Sequence, residues 1–103
     1  MFGVIHMDAS GDDNPPLESL PSLYDELYST GIEDGSVAVI NDESRWCLSA
    51  SRDRRLTFEQ IGAPATARHM KPVSKDRVLE MWRRLIAGDI EGLIAEPWKS
   101  GYM

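Results

Sequence analysis

One cysteine and two histidines in 103 residues leave little of the chemistry by which small proteins staple or activate themselves. Cys47 alone forms no internal disulfide, and no Cys and His cluster stands at zinc-ligand spacing. A stapled secreted scaffold and a metal-nucleated module are therefore both excluded. No apolar run approaches the roughly 18 residues of a membrane span. The opening MFGVIHMDASGDD has no basic n-region, apolar core or cleavage site, so the expectation is a cytoplasmic protein without membrane contact. Glycine-rich phosphate loops are missing too, since GIEDG at 31–35 matches neither a P-loop nor a dinucleotide fingerprint. There are no internal repeats, and no cofactor is expected.

What is present belongs to an ordinary globular chain: 42% hydrophobic and 27% charged positions. A chain of this length buries roughly two thirds of its unfolded surface, enough for one core. One domain over 1–103 is expected, with loose segments at 9–16 and 99–103. The net charge of −6 hides an asymmetry, because residues 1–50 hold ten acids and one base while residues 51–103 hold seven acids and ten bases. The acids of the first half come in pairs: Asp12-Asp13, Asp25-Glu26, Glu33-Asp34 and Asp42-Glu43. Such a surface is a poor partner for nucleic acid, whose phosphates call for a basic stripe, and Arg52, Arg54 and Arg55 are too few and too interrupted by Asp53 to supply one. Acidic loops serve solubility, or they steer a basic protein partner.

Hydrophobic spacing gives the elements. Phe2 to Met7 reads as a short strand, and ASGDDNPP at 9–16 as a loop. Leu20, Leu23, Tyr24 and Leu27 fall at i, i+3, i+4 and i+7, so a helix is expected with Ser19 as cap and Pro21 in its first turn. Segments 36–40, 45–51 and 55–61 alternate as a meander, with Trp46, Leu48, Ala50, Leu56 and Phe58 on one face. GAP at 62–64 reads as a break, and 66–73 as an edge strand. Ser74 caps a second helix carrying Val78, Met81, Trp82 and Leu85, which Gly88 ends. Asp89 opens a short third one that Pro97 stops.

Two helices with one apolar face each, and a meander with one apolar face, make an α+β two-layer sandwich. The expected sheet is antiparallel, with four to five strands and both main helices on one face. The expected order is β-α-β-β-β-β-α plus a short C-terminal helix.

Catalytic constellations are thin. Cys47 with His6 or His69 could be drawn as nucleophile and base, but Cys47 lies mid-strand with nothing to activate its thiol, so an inert strand residue is the simpler reading. The sequence SGDDN at 10–14 lacks the alternating acids and distal Glu of a calcium loop.

The order of features resembles the small immunity proteins of bacterial polymorphic toxin and contact-dependent inhibition systems. The matching elements are a short first strand, Asn14-Pro15 leading into a helix with Leu20, Leu23 and Leu27, a meander, and VSKDRVLEMWRRLIAGD at 73–89. In that group a last helix introduced by a Val-Ser step and ended near Gly-Asp is common, and Val73-Ser74 and Gly88-Asp89 stand at those places here. The resemblance implies a cytosolic, non-enzymatic protein that binds a cognate toxin domain, commonly a nuclease, and blocks it. It transfers no catalytic residues.

The expected function is thus a small acidic binding protein whose Asp12, Asp13, Glu33, Asp34, Asp42 and Glu43 meet a basic partner, with no metal site. A homodimer pairing through its sheet face or the edge at 66–73 is the alternative. A small hydrolase using Cys47 or His69 is the third reading.

Overall fold

The computed structural model describes residues 1–29 and 35–102. The chain is α+β, with one antiparallel seven-stranded sheet and three α-helices among the described residues. In chain order these are β1 (Phe2–Ile5), β2 (Gly11–Asp13), α1 (Leu20–Ser29), β3 (Ser36–Asn41), β4 (Trp46–Ser51), β5 (Leu56–Gln60), β6 (Ala63–Met70), α2 (Lys75–Ile86), α3 (Ile90–Ile94) and β7 (Lys99–Ser100). In space the strands run β2-β1-β3-β4-β5-β6-β7.

The expectation of four to five strands is therefore corrected to seven. The additional two are the edges: β2 arises inside the stretch expected as a loose loop, and β7 inside the expected loose tail. Neither GDD nor KS has an apolar alternation to announce it; each is held by backbone pairing to a neighbour, β2 on β1 and β7 on β6. The strand expected at 66–73 runs Ala63–Met70 and is covered in part, because Arg68 and His69 pair with Ser100 and Lys99. The two residues of β7 cover only part of β6, and the start of that strand keeps an open side.

One row of cross-strand neighbours crosses the whole sheet: Asp12, Val4, Val39, Leu48, Phe58, Arg68 and Ser100. Its middle is apolar and its ends polar, so burial is greatest where helices cover the sheet. Leu20, Leu23 and Leu27 of α1 and Val78, Met81, Trp82 and Leu85 of α2 share one cluster with Val37, Val39, Leu48 and Phe58. The next row, on the opposite face, runs Gly11, Ile5, Ala38, Ser49, Thr57, His69 and Lys99. Period-two alternation sends these side chains away from the cluster.

Local chemistry explains the ends. Ser74 Oγ accepts from the Arg77 N–H at 3.2 Å, and Gly88 closes α2 with φ 86°. Ser19 does not cap α1; its hydroxyl donates back to the Pro16 carbonyl at 2.6 Å, within a 3-10 turn at Leu17–Ser19 that leads into the helix. The expected break at 62–64 is a tight hairpin, since Gln60 pairs with Ala63 across Ile61-Gly62 and Gly62 supplies φ 84°. Pro64 is tolerated in β6 because β7 pairs only with Arg68 and His69, leaving the start of the strand with an open side. The turns before β4 and β5 use Arg45 and Arg54 at φ 63° and 69° where a glycine would be the usual choice. Trp98 staples the C-terminal segment, stacked on Phe58 at 5.4 Å with its indole N–H on the Leu93 carbonyl.

Candidate functional site: an acidic sheet edge pinned by His6

His6 follows β1 and turns toward α1. Its Nδ1 lies 2.7 Å from Glu26 Oε2 and its Nε2 lies 2.6 Å from Asp12 Oδ2. Both neighbours are carboxylates, which only accept when ionised, so the two bonds form together when both ring nitrogens carry protons, as in the imidazolium. The hydrogen bond to Glu26, followed by that to Asp12, holds the His6 pKa above its usual value against the opposing effect of burial. The second Glu26 oxygen accepts the Met7 N–H at 3.2 Å. One side chain thereby ties three elements together: β1, the edge strand β2 and α1.

A cavity of about 560 Å³ opens beside this bridge, lined by Val4, Asp13, Asn14, Pro15, Pro16, Ser19, Ser22 and Leu23 together with His6, Asp12 and Glu26. Across the bridge, the Asp8 carboxylate accepts from the Ser10 hydroxyl and N–H, which lowers its pKa. Asp12 and Glu26 occupy opposite nitrogens of the ring and so do not converge on one point. Among the described residues no three His, Cys, Asp or Glu side chains gather as a metal ion would require.

Of the residues expected to meet a partner, Asp12 and Asp13 lie on β2, while Asp42 and Glu43 occupy the turn after β3. Glu33 and Asp34 lie outside the described residues. The strand order brings the others to one end of the sheet. Asp13 is opposite Gly3 on one side of β1, and Asn41, just before Asp42, is opposite Phe2 on the other. Two strand spacings, roughly 10 Å, separate those positions. Between them lies the chain's start. The Phe2 N–H donates to Asn14 Oδ1 at 2.9 Å, the Asp42 N–H donates to the Met1 carbonyl at 3.1 Å, and the Met1 amino group is 3.9 Å from Glu43. The Asn41 carboxamide folds the turn, accepting the N–H groups of Glu43 and Ser44 while donating to the Leu85 carbonyl at 2.9 Å. Asp12 differs from Asp13, Asp42 and Glu43 in being committed to His6, and it positions the edge.

Sequence reasoning weighed His6 only as a base for Cys47, and the structure separates those two. His6 faces α1, whereas Cys47 belongs to the opposite face, 3.6 Å from the Ser49 hydroxyl. Burial pushes the Cys47 thiol up, away from the thiolate a nucleophile needs. His69 shares that face but lies two strands away in the next row, where its Nδ1–H donates to the Gly101 carbonyl at 2.8 Å. The spacing of His6, Asp12 and Glu26 formed no motif. A histidine at the end of a strand with acids on the neighbouring elements was the one available signal.

No helix among the described residues is long and apolar enough to cross a membrane. No family model, curated protein or solved structure matches this chain.

Proposed function

We propose that this protein is a non-enzymatic, immunity-like binding protein whose acidic edge occupies the basic surface of a partner such as a nuclease toxin. The observation that carries this reading is the convergence of Asp13, Asp42 and Glu43 at one end of β2-β1-β3, all exposed. A nuclease must be basic to hold phosphate, and an acidic edge of fixed geometry competes for that surface while gaining association rate from complementary charge. The His6 bridge supports the reading because it fixes β2 against α1, so the edge is organised before contact. The order of elements and the resemblance noted above point the same way.

The test begins with the partner captured from the native cell and purified. The association rate is expected to fall as salt rises and to fall again when Asp42→Lys and Glu43→Lys are combined, with dissociation changed less. A rate indifferent to both would exclude the acidic edge as the contact.

A further inference from the structure

Three of the ten bases of the second half, Arg55, Lys71 and Lys99, collect near the other edge of the sheet. We propose that Arg55, His69, Lys71 and Lys99 form a binding site for a phosphate-type oxyanion, independent of the acidic edge. The four line a cavity of about 270 Å³. Register explains the convergence. Leu56 is opposite Met70 and Thr57 is opposite His69, which brings Arg55 and Lys71 across from each other, and Lys99 is opposite His69 on the other side.

Like charges facing each other across a sheet are destabilising without a counter-ion. One carboxylate serves here: Asp53 lies 3.5 Å from Arg55 Nη2 and 3.3 Å from Lys71 Nζ. It does not satisfy the cluster. Lys99 has no ion-pair partner among the described residues, and the Arg55 Nε–H is buried with no acceptor. A buried donor without an acceptor is a position where an ion or water is expected. His69 is 7% exposed and spends Nδ1–H on the Gly101 carbonyl, which leaves Nε2 without a protein partner among the described residues; in the neutral ring that nitrogen accepts, and a phosphate hydroxyl can donate to it. Three cations against one carboxylate leave an excess of two positive charges in a protein whose net charge is −6. A tetrahedral oxyanion presents several acceptor oxygens at once, matching a guanidinium and two ammonium groups that approach from different strands.

The experiment is a titration of the intact chain with inorganic phosphate, followed by amide and side-chain NMR and repeated with chloride at equal ionic strength and neutral pH. Saturable shifts at Arg55, His69, Lys71 and Lys99 are expected with phosphate and not with chloride. Lys99→Met and Lys71→Met should each weaken phosphate roughly tenfold. Asp53→Asn should tighten it several-fold by removing the competing carboxylate. Phosphoserine as a second probe distinguishes sources: tighter binding than phosphate identifies a phosphorylated residue as the ligand, and equal or weaker binding identifies the free ion. Shifts that grow linearly and match chloride overturn the site. So do phosphate shifts that persist unchanged in the folded Lys71→Met, Lys99→Met double variant.

Discussion

Glu26, on α1, holds His6, just past β1, through a 2.7 Å hydrogen bond, and Asp12 on the edge strand grips the other nitrogen of the same ring. Both bonds need a proton on the ring. Because the folded protein raises the His6 pKa above 6.5, the bridge contributes stability that is fully present below that pH and is lost as pH rises through the folded value. A neutral ring would leave one carboxylate facing a lone pair. The stability difference between the native chain and His6→Gln should therefore be largest in mildly acidic solution and shrink at alkaline pH. Glu26→Gln should lower the His6 midpoint in an NMR titration of the ring proton. A pH-independent difference would mean that His6 acts through packing alone.

Trp82 is fully buried, and its indole N–H donates to the Leu48 carbonyl at 3.0 Å, locking α2 onto β4. Trp82→Phe removes the donor and leaves a void beside the Tyr24 ring, which meets Trp82 edge-on at 6.4 Å. The expected cost is about 2–4 kcal/mol, read as a lower urea midpoint at unchanged slope. Trp98→Phe, at a half-buried site, should cost less.

The contrast between centre and edge also separates what was legible in the sequence from what was not. Alternation in 45–51 and 55–61 marked β4 and β5 because both lie under helices and must bury one face. The Leu20-to-Leu27 and Val78-to-Leu85 stripes marked α1 and α2 for the same reason. Edge strands bury almost nothing, so β2 and β7 left no hydrophobic trace and are defined by their partners' open backbone groups. The His6 bridge depends on residues 20 and 6 positions away, and the basic corner joins Arg55 to Lys99 across three strands. Such meetings follow from strand order, which no local pattern encodes. Charge by halves was the closest sequence signal. The acid-rich first half supplies the β2-β1-β3 end, and Arg55, Lys71 and Lys99 of the second half supply the corner on β5-β6-β7.

Two glycines should respond oppositely to alanine. Gly62 sits at φ 84° with open space around its missing Cβ, so Gly62→Ala meets backbone strain and no clash, at a cost of about 1–2 kcal/mol. Gly3 lies inside β1, and a Cβ there would meet the Asp12 carbonyl at 3.5 Å, an ordinary contact. Gly3→Ala should thus stabilise by a few tenths to about 1 kcal/mol by restricting the unfolded chain. Paired thermal melts would check the sign at each position.

Glu96 joins the third helix's end to the second helix. It accepts from Arg84 Nη1 at 2.8 Å and from Arg77, while Arg84 Nε also reaches Asp89 at 3.1 Å. The hydrogen bond from Arg84 is the main cause of its lowered pKa, with both guanidinium charges adding to it against desolvation. A depressed carboxylate stabilises above its unfolded value of 4.5, and that contribution is lost as pH falls through the folded value. The Glu96 side chain is only 18% exposed, so solvent screens the contacts less than at an open surface pair. Glu96→Gln should cost about 1–2 kcal/mol near neutrality and approach zero cost in strong acid, where the native carboxyl is itself protonated. Urea midpoints for both chains across that range measure the difference. A gap that persists in strong acid would place the effect in side-chain shape, and one absent throughout would mean that the two arginines find other partners when Glu96 is neutral.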